Sequence, residues 1–354
     1  MGQSPFKGYE PLFTTPLYYN ISKVNGAIKT DGVLSEASWN AAKWSEDFVD
    51  IEGDKKPAPT FKTRFKMLWD NSNLYIAAEM EEPHIWSYLS QHDTIVFHDN
   101  DFEVFIDPDG NTHNYFEIEV NALKTVFDLF LSKPYRNGGD GLINWNTEDL
   151  KLGVTIYGTL NKPTDKDKKW QVEMAIPFRS IGYGYNYKIP ANGTIWRMNF
   201  SRVEWNTEVK NDKYVKKINP ETGKNQPENN WVWSPQGVIN MHYPERWGYV
   251  QFVTGQPVQT EASFQLPAAE ELKKYLWLIY YKQQEELHRS KKYATSLKDL
   301  GINDSTIKFA NKLYTIQLEA THNLFEATIA ESGAQITSKI NQNGELKSVV
   351  VKEQ

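Results

Sequence analysis

Cysteine is absent from the 354 residues, which excludes disulfides, thiolate metal centres and cysteine nucleophiles together. That absence leaves the compartment open, because many bacterial envelope proteins also lack cysteine. No apolar run approaches the roughly 20 residues that a bilayer-spanning helix needs. Basic residues are in deficit: 39 Lys and Arg stand against 45 Asp and Glu, a net charge of -6. Nucleic acid therefore finds no electrostatic footprint here. No Gly-x-Ser-x-Gly, His-Glu-x-x-His or phosphate-binding glycine loop occurs. The seven histidines are scattered, without the spacing of metal ligands. Met1-Gly2-Gln3-Ser4-Pro5 carries neither the charged nor the apolar segment of a signal peptide.

Aromatic residues are abundant instead, at 14% of the chain with 12 Trp, 19 Tyr and 17 Phe. Rings fill large volumes in any core, and a flat ring also stacks on the C–H face of a pyranose. Composition leaves both uses open. The 40% hydrophobic and 24% charged content is ordinary for a globular protein, and the length favours two domains.

Residues 1–255 read largely with a period of two. Phe61, Phe65, Met67 and Trp69 fall on one face, Lys62, Arg64 and Lys66 on the other, as in a half-buried strand. The turn Asp70-Asn71-Ser72-Asn73 leads into Leu74, Ile76, Ala78 and Met80, a predicted hairpin. Further strands are expected over 101–107, 115–121, 126–131, 152–160, 170–176, 195–203 and 246–252. Short strands separated by turns such as Asp107-Pro108-Asp109-Gly110 imply a mainly β fold, an antiparallel β-sandwich. Ser35 and Ser38 are spaced like helix caps before Trp39. The polar stretch between Trp205 and Trp231 is expected to be a binding loop or a disordered insert.

Residues 256–266 read as a linker. Beyond it the pattern changes to a small C-terminal α+β unit, 267–354. Leu272, Tyr275, Leu276, Ile279, Tyr280, Gln283 and Leu287 trace one long amphipathic helix after Pro267. A short antiparallel sheet of three strands is expected over 314–320, 324–330 and 346–351. Residues 283–300 are weakly similar to the helix-to-loop region of type IV pilin-like proteins, which suggests a docking unit with a possible protein partner.

Three ordered segments resemble the family 9 carbohydrate-binding modules of the DOMON-like sandwiches. They are residues 28–44, which contain Asp31-Gly32-Val33-Leu34-Ser35-Glu36-Ala37-Ser38-Trp39; Asp101-Phe102-Glu103-Val104-Phe105-Ile106-Asp107-Pro108-Asp109-Gly110 with 115–121; and Trp233-Ser234 leading to Trp247-Gly248-Tyr249-Val250. The resemblance implies an oligo- or polysaccharide ligand held between two rings. Phe97 is the nearest equivalent of the first ring, and Met241, with His242 and Tyr243 beside it, stands where the second would be. Glu119 occupies a position where the family has a positive side chain. Calcium is often bound in the family, and Asp107 and Asp109 offer hard oxygens, although an ordinary Asp-Pro-Asp-Gly turn is the better account of them.

The loop end of such a sandwich gathers candidates for sugar contact. Phe97, His98, Asn121, Arg136, Trp145, Trp205, Trp231, Met241, His242 and Tyr243 combine stacking surfaces with hydrogen-bonding groups. The expected role is glycan capture by a secreted, periplasmic or cell-surface bacterial protein with no catalysis and no required cofactor. A glycoside hydrolase using Glu117, Glu119 and Asp128 is the enzymatic alternative. A haem-binding domain using Met241 and His242 is a further one, disfavoured because adjacent residues on an extended chain point apart.

Overall fold

A computed structural model describes residues 4–24, 26–182, 187–255, 264, 266–331 and 336–350. The chain begins with β1 (Tyr18–Lys23), α1 (Ala37–Ala41), β2 (Val49–Asp50), β3 (Thr63–Trp69) and β4 (Asn73–Glu81). A meander of β5 (Asp101–Asp107), β6 (Tyr115–Asn121) and β7 (Val126–Leu131) follows, then β8 (Gly141–Leu142), β9 (Lys151–Tyr157) and β10 (Lys169–Pro177). Next come β11 (Ile195–Glu204), β12 (Thr207–Lys210), β13 (Lys213–Lys216), β14 (Asn229–Val232) and β15 (Gly248–Val253). The C-terminal part holds α2 (Ala268–Ser290), β16 (Thr306–Phe309), β17 (Lys312–Ala320), β18 (Phe325–Glu331), β19 (Ile336–Asn341) and β20 (Leu346–Val350).

One continuous sheet runs β8-β7-β6-β5-β11-β15-β1-β3-β4-β10-β9, with β14 and β2 attached beside β11. It curls so that its two halves face each other as a sandwich. Phe65 and Met67 of β3, Ile76 of β4, Phe102 and Val104 of β5 and Phe200 of β11 meet in the core. The rings of Phe65 and Phe200 stack at 3.9 Å. Pairing is antiparallel except at β1, which runs parallel to both β15 and β3. The segment 24–62 between β1 and β3 is long enough for the crossover that parallel strands need.

The segment around Trp39 is fastened by a single carboxylate. Glu173 of β10 accepts Trp39 Nε1 at 2.8 Å and the amides of Asp31 and Gly32 at 3.0 Å each. Gly32 has φ +86°, and a Cβ on neighbouring Gly153 would lie 2.2 Å from the Gly32 nitrogen. Glycine is required at both points, because any side chain would push the segment off the sheet. The expected serine caps do not form: Glu36 is at the helix start, without a side-chain capping bond.

Two expectations need correction. The polar stretch after Trp205 is ordered as the β12–β13 hairpin, an Ile218–Asn225 bridge and β14. Its residues alternate poorly because both hairpin faces are largely solvated. The C-terminal sheet has five antiparallel strands, not three. Four-residue β16 is too short to show a period, and β19 (Ile-Thr-Ser-Lys-Ile-Asn) has too few apolar residues. Most of the expected linker, 256–266, lies outside the described residues. Among the described residues no helix is long and apolar enough to cross a membrane.

The C-terminal part has its own core, in which Leu276, Ile279 and Tyr280 of α2 meet Ile316, Ala327, Ile329 and Ile340. Tyr9, Leu12 and Phe13, from the start of the chain, pack against the same cluster. Polar anchors join it to the sandwich. Arg136 donates to both oxygens of Glu245 at 2.9 Å and to the His242 carbonyl at 2.7 Å. Tyr281 of α2 donates to Glu245 at 2.6 Å, and Asn137 donates to Tyr280 Oη at 2.6 Å. The Arg136 guanidinium also lies 4.0 Å from the Tyr243 ring centre. Removing one partner of a buried ion pair leaves the other charge uncompensated. Glu245→Ala is therefore expected to lower unfolding free energy by about 3–5 kcal/mol and to speed amide exchange along α2. Urea titration with hydrogen exchange measures both.

Candidate functional site

The register of three strands builds the site. Glu103 of β5 pairs with Glu119 of β6 and with Ser201 of β11, and Phe105 pairs with Glu117. Asp101 is two residues before Glu103, so strand alternation places it on the same face. Phe102, Val104 and Ile106 point the other way, into the sandwich core. The acidic face is therefore the outer face of this half of the sheet, and loops roof it over. A cavity of about 300 Å³ results, lined by Phe97, Glu103, Glu117, Glu119, Tyr135 and His242 among others.

Its two rims are aromatic. Phe97 is half-buried, and its amide donates to Glu119 Oε2 at 3.0 Å. Its carbonyl accepts Trp205 Nε1 at 2.8 Å. On the other rim Tyr135 is 44% exposed and meets His242 edge-on at 4.5 Å. His242 Nδ1 is 2.9 Å from the Tyr115 hydroxyl.

The floor is strongly acidic. Glu103, Glu117 and Glu119, with Asp101 two residues before Glu103 on β5, are all buried, and among the described residues no Lys or Arg lines the cavity. Burial pushes the Glu103 carboxyl up to about 7. Burial, and then the charge of Glu103, raises Glu117 and Glu119 well above the usual carboxylate range, and Asp101 likewise. Burial and the nearby Arg136 push His242 down to about 3, so its imidazole is neutral at pH 7 and offsets none of this charge. Asp101 Oδ2, Glu103 Oε2 and Glu117 Oε2 are buried without a hydrogen-bond partner.

Of the residues singled out from sequence, the structure gathers Phe97, Met241, His242, Glu117 and Glu119 around this cavity. Others sit elsewhere. His98 is exposed and packs edge-on against Phe97. Trp205 buttresses Phe97 from behind, with Lys216 Nζ 3.3 Å from its ring centre. Arg136 and Tyr243 belong to the junction with α2. Asn121 is buried, its oxygen accepting the Leu123 and Thr125 amides and its nitrogen donating to Leu89 O. Trp231 is core, with the Arg202 guanidinium 5.3 Å from its ring centre. Trp145 is half-buried against Phe116 on the sandwich side.

Asp128 pairs with Ile118, not with a glutamate. It faces away from Glu117 and Glu119, where it accepts the Thr147 amide, so the expected catalytic trio does not assemble. Asp107 accepts the Gly110 and Thr112 amides at 2.9 and 2.8 Å. Asp109 accepts the Asn111 side chain at 2.8 Å. That pair closes a turn. Met241 Sδ accepts Gln236 Nε2 at 3.2 Å while His242 engages Tyr115, so these neighbours do not converge on one haem. Nothing in the sequence pattern singles out Glu103 or Ser201, whereas Tyr135 lies in the 134–140 loop, itself a candidate for sugar contact. The alternation Asp101-Glu103-Phe105 was visible, but it reads equally well as a solvated strand face.

The model of the carbohydrate family 9 binding domain-like family matches residues 30–253, more than half of the chain. The chain belongs to the carbohydrate family 9 binding domain-like family. Carbohydrate binding is the function that this membership carries. Among solved structures, this family 9-like chain is similar to a candidate carbohydrate-binding protein from Bacteroides uniformis ATCC 8492. The two are 16% identical over 67% of this chain and 100% of that one, with a TM-score of 0.49. It is also similar to a family 9 carbohydrate-binding module from Caldicellulosiruptor kristjanssonii in complex with cellotriose, at 14% identity over 70% and 98% of the two chains and a TM-score of 0.40. The glucose complex of a family 9 module from that organism gives 15% identity over 69% and 100%, with a TM-score of 0.40. No curated protein matches.

The acidic floor makes the stability of the family 9-like domain depend on pH. A carboxyl whose folded pKa is raised stabilises the fold below its unfolded value, and that stabilisation is lost as pH rises through the folded value. For Glu103 the window runs from 4.5 to about 7. Relative to Glu103→Gln, the wild-type chain in EDTA is expected to lose on the order of 3 kcal/mol across that window. Urea titrations of both proteins at several pH values measure it, and parallel curves would contradict the assignment.

Proposed function

We propose that the cavity above Glu103, Glu117 and Glu119 binds the terminal residue of a glycan chain, in a secreted or periplasmic protein that captures polysaccharide. The observation that carries this reading is the convergence of Phe97 on one rim and Tyr135 with His242 on the other, above one rung of carboxyls. Flat rings offer stacking surfaces to pyranose C–H faces, and a few convergent polar groups then fix orientation. A carboxyl raised to about 7, as at Glu103, suits sugar hydroxyls, because the protonated form donates and the ionised form accepts. A volume of about 300 Å³ is at the small end of ligand pockets, which favours a chain end over a long stretch of chain.

The same carboxyls invite comparison with glycoside hydrolases. Hydrolysis needs two carboxyls about 5–5.5 Å apart for retention, or about 6.5–9.5 Å apart for inversion, with the glycosidic bond between them. Carboxyl oxygens of Asp101, Glu103 and Glu119 lie within 4.8 Å of one another, and Glu117 is within hydrogen-bonding reach of Glu119. Carboxyls in mutual contact act together as one acidic floor, and the proposed sugar lies above them.

Phe97→Ala is expected to weaken binding of the best ligand from a glycan array by about tenfold or more, about 1.4 kcal/mol, with the melting temperature little changed. Calorimetric titration measures it. Binding by the variant equal to wild type would remove Phe97 from the site, and release of reducing ends by the wild-type protein would replace capture with hydrolysis.

A further inference from the structure

Five of the seven arginines, Arg64, Arg136, Arg179, Arg202 and Arg289, have a carboxylate within 4.0 Å. Arg197 of β11 and Arg246, two residues before β15, have none among the described residues, although only 6% and 3% of them is exposed. Neutral oxygens hold them instead. Arg197 donates to the Pro244 carbonyl at 3.4 Å and to the Glu245 carbonyl. Arg246 donates to the Gln236 and Thr14 carbonyls at 3.3 and 2.9 Å. Arg197 Nη1 is buried and has no hydrogen-bond partner. Burial, and behind it the charge of Arg197, holds the Arg246 guanidinium below its usual pKa.

Both arginines line one small cavity of about 40 Å³, where the sandwich, the start of the chain and α2 meet. Four cations face it, Arg197, Arg246, Lys273 and Lys274, against the carboxylates of Glu245 and Glu270. Those carboxylates are already engaged. Glu245 is held by Arg136 and Tyr281, and Glu270 by Lys273, while Lys274 pairs with Glu271. The charges left over are the two guanidiniums. A buried charge without a partner is costly, and buried charges are ordinarily paired. The volume holds roughly two or three waters, which admits a halide and excludes a sugar ring.

We propose that this cavity binds a small inorganic anion of chloride size, seated against Arg197 and Arg246, as the counter-charge that joins the sandwich to the C-terminal unit. Guanidinium N–H groups form strong charge-assisted bonds to anions. Thr14 and the Tyr249 ring, 3.9 Å from the Arg197 guanidinium, hold the two side chains in place. Lys273, Trp277 and Tyr281 of α2 close the other side. The site shares no lining residue with the sugar cavity, so it stands apart from the glycan reading.

Sodium chloride exchanged for sodium gluconate at constant ionic strength tests this on the full chain at pH 7.5. Chloride is expected to raise the melting temperature by about 2–4 °C, saturating with concentration, to slow amide exchange along α2 and to broaden the chloride NMR line. Arg197→Gln should weaken chloride binding by about tenfold or more. A wild-type crystal grown in bromide should show the ion against Arg197 and Arg246 by anomalous scattering, which keeps the test open should the variant fail to fold. Equal melting in the two salts without line broadening, or bromide absent from this cavity, would overturn the site. A wild-type chloride response in Arg197→Gln would place the effect elsewhere and defeat the assignment. Stabilisation by phosphate but not by chloride would rule out the halide.

Discussion

The ion pair in which Arg136 Nη2 donates to both oxygens of Glu245 ties together three parts of the chain that are distant in sequence. Arg136 is in the loop after β7, whose Tyr135 forms one rim of the cavity. Glu245 follows the Met241–His242 segment that lines the same wall. Tyr281, bonded to Glu245, belongs to α2. Both charges are largely removed from water, where the attraction is strong only when geometry and supporting hydrogen bonds are complete. The His242 carbonyl and the Tyr243 ring add to the support, while Arg136 Nε is left without a hydrogen-bond partner. The helix therefore does more than close its own small core. It braces the loops that shape the pocket.

A second constraint acts inside the pocket and runs the opposite way. At the junction Arg136 matches the buried Glu245, but among the described residues no Lys or Arg lines the pocket whose floor holds Glu103, Glu117 and Glu119. Such an arrangement weakens the fold at neutral pH unless protons or a cation occupy it. The sheet tolerates it because the strands beneath are buried on both faces and paired along their length. The core under β5 and β6 supplies the stability against which the site is strained. Functional sites commonly break local rules that the surrounding structure then compensates.

Several residues show how far local pattern could be read. Strands β5, β6 and β7 follow directly from alternation, and their bounds match the reading to the residue. The role of Glu119 as a departure from the family was visible as well. Its consequence was not, because whether Glu119 meets Glu103 or slides past it depends on the β5–β6 register. Asp128 failed for the same reason: one residue along β7 exchanges the outer face for the core. Arg136 looked like a free sugar ligand because its partner is more than a hundred positions away. Trp145 and Trp231 flank loops in sequence yet pack against the sandwich core, since a ring beside a loop buries itself wherever the sheet curls over it.

The sequence by itself determined the sandwich, its family and the existence of a helical C-terminal unit. Period-two hydrophobicity, turn residues and ordered motifs are local properties that survive without knowledge of contacts. Tertiary structure alone decided the parallel insertion of β1, the five-stranded C-terminal sheet and the assembly of the pocket. It also decided which acids are paired and which are left facing the cavity. Those outcomes depend on register and on the meeting of distant loops. The energetic meaning of a carboxyl is set by which charges and how much water lie within a few ångströms of it.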